Sequence, residues 1–222
     1  PEAYSAHAHA GCLSFEYADG AQRVIINCGS PPAGYDLWKQ AARLTNAHST
    51  LEIGGMSMAA PATFKHDWPR TPGLVTGPHV PFCQRQEGED GSLTLTARHD
   101  AYVLPFGIEH ERQITLKAQG HVMGQDSLLF AHESRARTAE DDFALRFHLH
   151  PTLEASHNSS VHAIKIRAPN GRSWIFSCPD LPIDVTESIS FATADGGRRG
   201  QQLVMSGRFR TTALIRWTLS PA

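Results

Sequence analysis

Cysteine, excess charge of one sign and long apolar runs are all scarce in this chain, and each absence removes a class of protein. The 222 residues hold four cysteines, Cys12, Cys28, Cys83 and Cys178, widely spaced and without a CxxC pair. That excludes a disulfide scaffold or a cysteine-built zinc module. Buried free thiols are expected, although Cys12 and Cys28 fall on adjacent predicted strands. The formal net charge is -2, and basic residues are scattered apart from Arg198-Arg199 in a Gly-rich turn. Such a surface has no electrostatic footprint for nucleic acid. No apolar stretch reaches the length that spans a bilayer, so no membrane partner is expected. The start, Pro1-Glu2-Ala3-Tyr4, carries neither an initiator Met nor a leader pattern. It reads as a piece of a longer protein whose compartment this piece does not reveal.

A long 3.6-residue period is also missing, and what is present is strand signal. Residues 12–17 and 22–27 flank the turn Ala18-Asp19-Gly20-Ala21, a hairpin cue. Residues 31–47 read as an irregular crossing or a short helix, and 48–53 as a strand. Residues 54–91 read as a Gly/Pro-rich excursion with short strands. Further strands are predicted at 92–98, 110–117, 121–130, 143–150, 161–168, 173–178, 183–191, 202–207 and 209–219. In the 143–150 segment Phe143, Leu145, Phe147 and Leu149 alternate with Arg146, His148 and His150, so the first set should face a core and the second should face out. The expectation is an all-β chain: one antiparallel β-sandwich of about a dozen strands over residues 1–222, with room for one short helix. A jelly roll is a close relative of that arrangement.

Thirteen histidines are many for this length, so spacing carries the argument. His7-Ala8-His9 puts two imidazoles on one face of an extended chain. Such a pair holds a metal, moves a proton or grips an anion. Arg43-Leu44-Thr45-Asn46-Ala47-His48 follows one hairpin later and is placed to return a third histidine to the same spot.

The order His-x-His, Leu13-Ser14-Phe15-Glu16, Asn27-Cys28-Gly29 and Arg43-x-Thr45-x-x-His48-Ser49-Thr50 resembles the heparinase II/III-like family, specifically its C-terminal β-sandwich. His99-Asp100-Ala101-Tyr102, His110-Glu111-Arg112, Gly124-Gln125-Asp126 and 146–151 extend the match to about residues 5–219. The resemblance implies a polysaccharide lyase that cleaves acidic, uronate-containing chains by β-elimination, in the periplasm or secreted. An N-terminal α/α toroid, absent from this chain, would supply the catalytic tyrosine. It assigns His7 to the cleft, and His9 and His48 to a Zn²⁺ site with the residue at position 27. Members that bind metal carry Asp there; this chain has Asn27, a neutral and poorer ligand. His9, Asn27 and His48 are therefore either a weak metal site or a hydrogen-bonded cluster.

β-Elimination removes the proton at C5 of the uronate, expels the 4-O-linked sugar and needs the C6 carboxylate neutralised. His7 suits charge stabilisation or proton transfer. Arg43 either binds a substrate carboxylate or caps the turn before His48. His148 and His150 are candidate groove residues. His99 and Tyr102 are weaker ones, and Trp38, Trp68, Trp174 and Trp217 either stack on sugars or fill the core. Two rival readings remain. One is a non-catalytic carbohydrate-binding or structural sandwich descended from a lyase. The other is a self-sufficient jelly-roll metal enzyme.

Overall fold

The computed structural model describes residues 7–59, 77–80, 82–131, 141–191 and 196–222. Two antiparallel sheets face each other. The first has six strands. β1 (Tyr17–Asp19), β2 (Gln22–Ile26), β8 (Asp142–Leu149), β13 (Arg198–Arg208) and β12 (Asp184–Ser190) lie side by side in that order, and β3 (Leu51–Ile53) joins β8. The second has eight, in the order β4 (Phe82–Glu87), β5 (Leu93–His99), β6 (Ile108–Leu116), β7 (Val122–Phe130), β14 (Leu214–Pro221), β11 (Ser173–Ser177), β10 (Ala163–Arg167) and β9 (Glu154–Ser160). The helices are short: α1 (Asp36–Ala41) inside the predicted crossing, and α2 (Val103–Phe106). The β-sandwich expectation therefore holds.

Three departures have local causes. Only Tyr17 of residues 12–17 enters a strand. Leu13 takes a left-handed φ of 57°, which breaks the extended run and lets Phe15 turn into the core. The strand expected from His48 begins at Leu51, because Thr45–Ala47 forms a 3-10 turn and His48 caps it. β9 escapes the sequence reading because its residues, EASHNSS, form a polar edge strand with no alternation to detect.

The core is an aromatic seam between the sheets. Trp217 of β14 stacks on Phe15 and Phe176 (ring centroids 5.6 and 5.8 Å) and meets Phe147 of β8 edge-on at 4.8 Å. Gly124, paired with Trp217 across the sheet, is what leaves room for the indole. A Cβ there would sit 2.0 Å from the ring. Trp174 and Trp217 are thus core residues, Trp38 is half exposed, and Trp68 lies outside the described residues. All four cysteines are free thiols.

A buried polar chain runs beside this seam. His99, His110, Arg112 and Asp126 are all inaccessible or nearly so. The Ala101 N–H donates to His99 Nδ1 (3.2 Å), which leaves His99 Nε2–H to donate to His110 Nδ1 (3.2 Å). His110 Nε2–H then donates to Asp126 (2.7 Å), which also accepts from Arg112 Nε (2.8 Å) and Trp217 Nε1 (2.9 Å). These tautomers follow from the hydrogen-bond pattern. Both imidazoles stay neutral while the Arg112–Asp126 pair carries the charge. Arg112 Nη1 donates to the carbonyls of Leu13 and Ser49, each at 2.8 Å. One guanidinium on the second sheet thereby holds both segments that carry the candidate site.

Candidate functional site

The site is built from two irregular segments, residues 7–16 and 43–50, clamped together. Arg43 is buried and donates from Nε to the carbonyl of Ala8 (2.9 Å), the residue between the two histidines. The Ala10 N–H donates to the Arg43 carbonyl (2.7 Å), and Thr45 Oγ1 donates to the carbonyl of Ala10 (2.9 Å). Thr50 Oγ1 donates to the carbonyl of Cys12 (2.9 Å). Arg43 thus meets the His-x-His backbone, which is closer to the turn-capping expectation than to a carboxylate contact.

His7 is exposed, while His9 is half-buried and meets the buried His48. His48 Nδ1–H donates to the carbonyl of Leu44 (2.8 Å), so its Nε2 presents a lone pair. His9 Nδ1 lies 3.2 Å from that Nε2, with the rings edge to face. Gly11 makes this approach possible, since a Cβ there would fall 2.5 Å from His48 Cδ2. Desolvation holds both imidazoles below the ordinary histidine range. For His9 the Arg43 charge adds to this. Both are neutral at pH 7. A cavity of about 360 Å³ opens beside the pair, lined also by Cys12, Ser14 and Met58.

Asn27 faces another way. Its Oδ1 accepts the Ser49 N–H (2.9 Å), and its Nδ2 donates to Glu16 (3.4 Å), which also binds Arg23 at 2.7 Å. An amide suits a position beside the Glu16 carboxylate, where a second carboxylate would be repelled. For Zn²⁺ the fit is partial. Two imidazole nitrogens on one tetrahedral ion lie about 3.3 Å apart, close to the spacing of the pair. Among the described residues, however, no group of three or more His, Cys, Asp or Glu side chains surrounds one point. A closed structural zinc site does not fit these residues.

His148 and His150 do not act together. His148 leaves the non-core face of β8, as the alternation predicts, but that face is covered here and His148 is 2% exposed. Its Nε2–H donates to the carbonyl of Asn46 (3.0 Å), and its Nδ1 accepts from Ser188 Oγ (2.8 Å) with Cys28 Sγ at 3.5 Å. The covering layer is the 28–47 crossing, which alternation within β8 alone does not reveal. His150 is half-buried against Thr152. His99 and Tyr102 are core residues, the latter donating its hydroxyl to the Leu51 carbonyl (3.2 Å). What the sequence reading missed is Arg112 as the clamp. The available signal was a charged residue at a core-facing position of β6, in register with Asp126 of β7.

Comparison with known proteins agrees with this architecture. The C-terminal heparinase II/III-like family model matches residues 1–218. The fold superposes on a heparan sulfate lyase of Pedobacter heparinus with a TM-score of 0.70 at 12% identity, covering 97% of this chain and 31% of that one. A heparinase III gives a TM-score of 0.69 at 14% identity, with 98% and 31% covered. In sequence the chain is 30% identical to the FtsZ-localized protein C of Caulobacter vibrioides over 227 residues. That match covers 98% of this chain and 38% of the relative. The chain therefore spans about a third of the proteins it resembles. It belongs to the heparinase II/III-like C-terminal domain family.

Proposed function

We propose that this domain forms one wall of an acidic-polysaccharide cleft in a longer lyase, facing an N-terminal α/α toroid, with His7 presented to the substrate. The observation that carries this is the clamp behind His7. Arg43 grips the Ala8 carbonyl while His9 is seated on His48, so an exposed imidazole projects from an immobilised backbone. A histidine so placed can neutralise the C6 carboxylate of a uronate or move the C5 proton. A tyrosine from the toroid would complete the reaction. His9 and His48 form the strut that positions His7. They would hold Zn²⁺ weakly, through His9 Nδ1, His48 Nε2 and water, and the pair is satisfied by its own hydrogen bond without metal.

A second reading has a specific observation behind it. By the family resemblance Asn27 takes the place of an Asp in metal-binding members, and the relative at 30% identity is named for its localisation with FtsZ rather than for a lyase activity. On that reading the domain binds glycan or another protein without cleaving. One assay separates the two. Full-length protein is incubated with a panel of uronate polysaccharides, and ultraviolet absorbance of the unsaturated product is followed for wild type and His7→Ala. Product from wild type that collapses in the variant supports the lyase. No product from any acidic polymer moves the assignment to the binding reading.

A further inference from the structure

A second cavity, of about 470 Å³, shares no lining residue with the one beside His9. Its volume lies in the range of small-ligand sites. One wall is α1, through Trp38 and Ala41. The other is the β12–β13 hairpin, through Glu187, Ser188, Ile189, Arg199 and Gln202. Cys28 and His148 form the floor.

The polar groups of this cavity are set rather than satisfied. His148 is fixed by donating to the Asn46 carbonyl, so its Nδ1 takes the Ser188 hydroxyl proton and leaves the Ser188 oxygen, beside the Cys28 thiol, with lone-pair capacity to accept. Gln202 donates from Nε2 to the Glu187 carbonyl (3.0 Å), while its Oε1 is buried with no hydrogen-bond partner. A buried acceptor left open costs free energy unless something fills it. Arg199 is exposed and has no ion-pair partner among the described residues. Trp38 leans on Phe191 (ring centroids 5.6 Å) yet remains 47% exposed, with Phe191 itself buried. The cavity thus offers one cation, Arg199, and one anion, Glu187, with two acceptors for hydroxyl donors and one aromatic surface.

We propose that this cavity is a binding subsite for a single uronate residue of a polysaccharide, separate from the His7 cleft. The carboxylate pairs with Arg199, as guanidinium groups recognise carboxylates. Two sugar hydroxyls donate to Gln202 Oε1 and Ser188 Oγ, and the apolar sugar face lies on Trp38. His148 is a positioning residue that acts through Ser188. This inference rests on the polysaccharide reading above, and it names where a chain is gripped rather than cut.

The test is calorimetric titration of the full-length protein with a uronate tetrasaccharide (alginate and heparan sulfate tetramers in turn) and with neutral cellotetraose as control. Wild type should bind a uronate tetramer saturably and cellotetraose at least tenfold more weakly. Arg199→Ala and Trp38→Ala, both at exposed positions, should each weaken uronate binding about tenfold. Circular dichroism confirms that the variants fold. Absence of binding to either uronate overturns the proposal, and so does binding that both cavity variants leave unchanged. Unsaturated product with binding indifferent to Arg199 would sink this subsite and keep the lyase. Binding lost with Arg199→Ala but no product from any polymer would keep the subsite and sink the lyase.

Discussion

Lowering the pH from 7 to 5 should remove about 4 kcal/mol of folding stability through two buried histidines alone. His99 is pushed down to about 2 by burial, with the neighbouring His110 and Arg112 adding to the shift. His148 is pushed down to about 4 by burial, against the opposing bond to Asn46. Both folded values lie below the ordinary 6.5. The unfolded chain therefore binds more protons, and stability falls as pH drops below 6.5. At pH 5 the unfolded imidazoles are almost wholly protonated, whereas both folded ones are still mainly neutral. The difference is about 2 kcal/mol for each residue. His148 stops contributing further loss near pH 4, while His99 continues toward 2. Carboxylates titrate lower, so the window from 7 to 5 isolates the histidines. The assay is urea unfolding at half-unit pH steps, with ring nitrogen shifts recorded in parallel. Those shifts should show His99 and His148 as neutral tautomers protonated at Nε2 at pH 7. A loss below about 1 kcal/mol across the window, which is small beside the 5–15 kcal/mol of an ordinary domain, would refute the buried-neutral assignment.

Further outcomes test the clamp and the strut. Asp126→Asn removes the anion that His110, Arg112 and Trp217 share, and leaves Arg112 charged in the core. A loss of about 3–5 kcal/mol is expected in chemical denaturation. Gly11→Ala drives a methyl into His48. It should cost about 1–3 kcal/mol and, because it displaces His9, lower any lyase rate in the full-length protein more than it lowers substrate binding. Gly124→Ala meets the Trp217 ring and should destabilise by a similar amount, checked by thermal melting. Zinc added to wild type should raise the melting temperature by little. Asn27→Asp combined with Glu16→Gln should leave zinc affinity within about twofold by competition with a chelating dye, because the side chain at position 27 turns to Ser49 and not to the His9–His48 pair.

Much of the fold was legible in residue order because its causes are local. Period-2 alternation at 143–150 and turn cues such as Asn170-Gly171 place most strands. β9 was hidden because an edge strand with both faces near solvent imposes no pattern on its side chains. The residue types of the candidate site were also visible, since His-x-His and Arg-x-Thr-x-x-His are short motifs. Their partners were not. That Arg43 meets the Ala8 carbonyl, that Asn27 turns to Ser49 and Glu16, and that His148 is roofed by the 28–47 crossing all depend on contacts between segments 11 to 120 residues apart. Sequence by itself determined an alternating, turn-punctuated β chain and a histidine set of a known family. Only the tertiary structure decided which imidazoles meet, which are neutral and which faces water, because burial and hydrogen-bond partners are properties of packed surfaces and not of the chain.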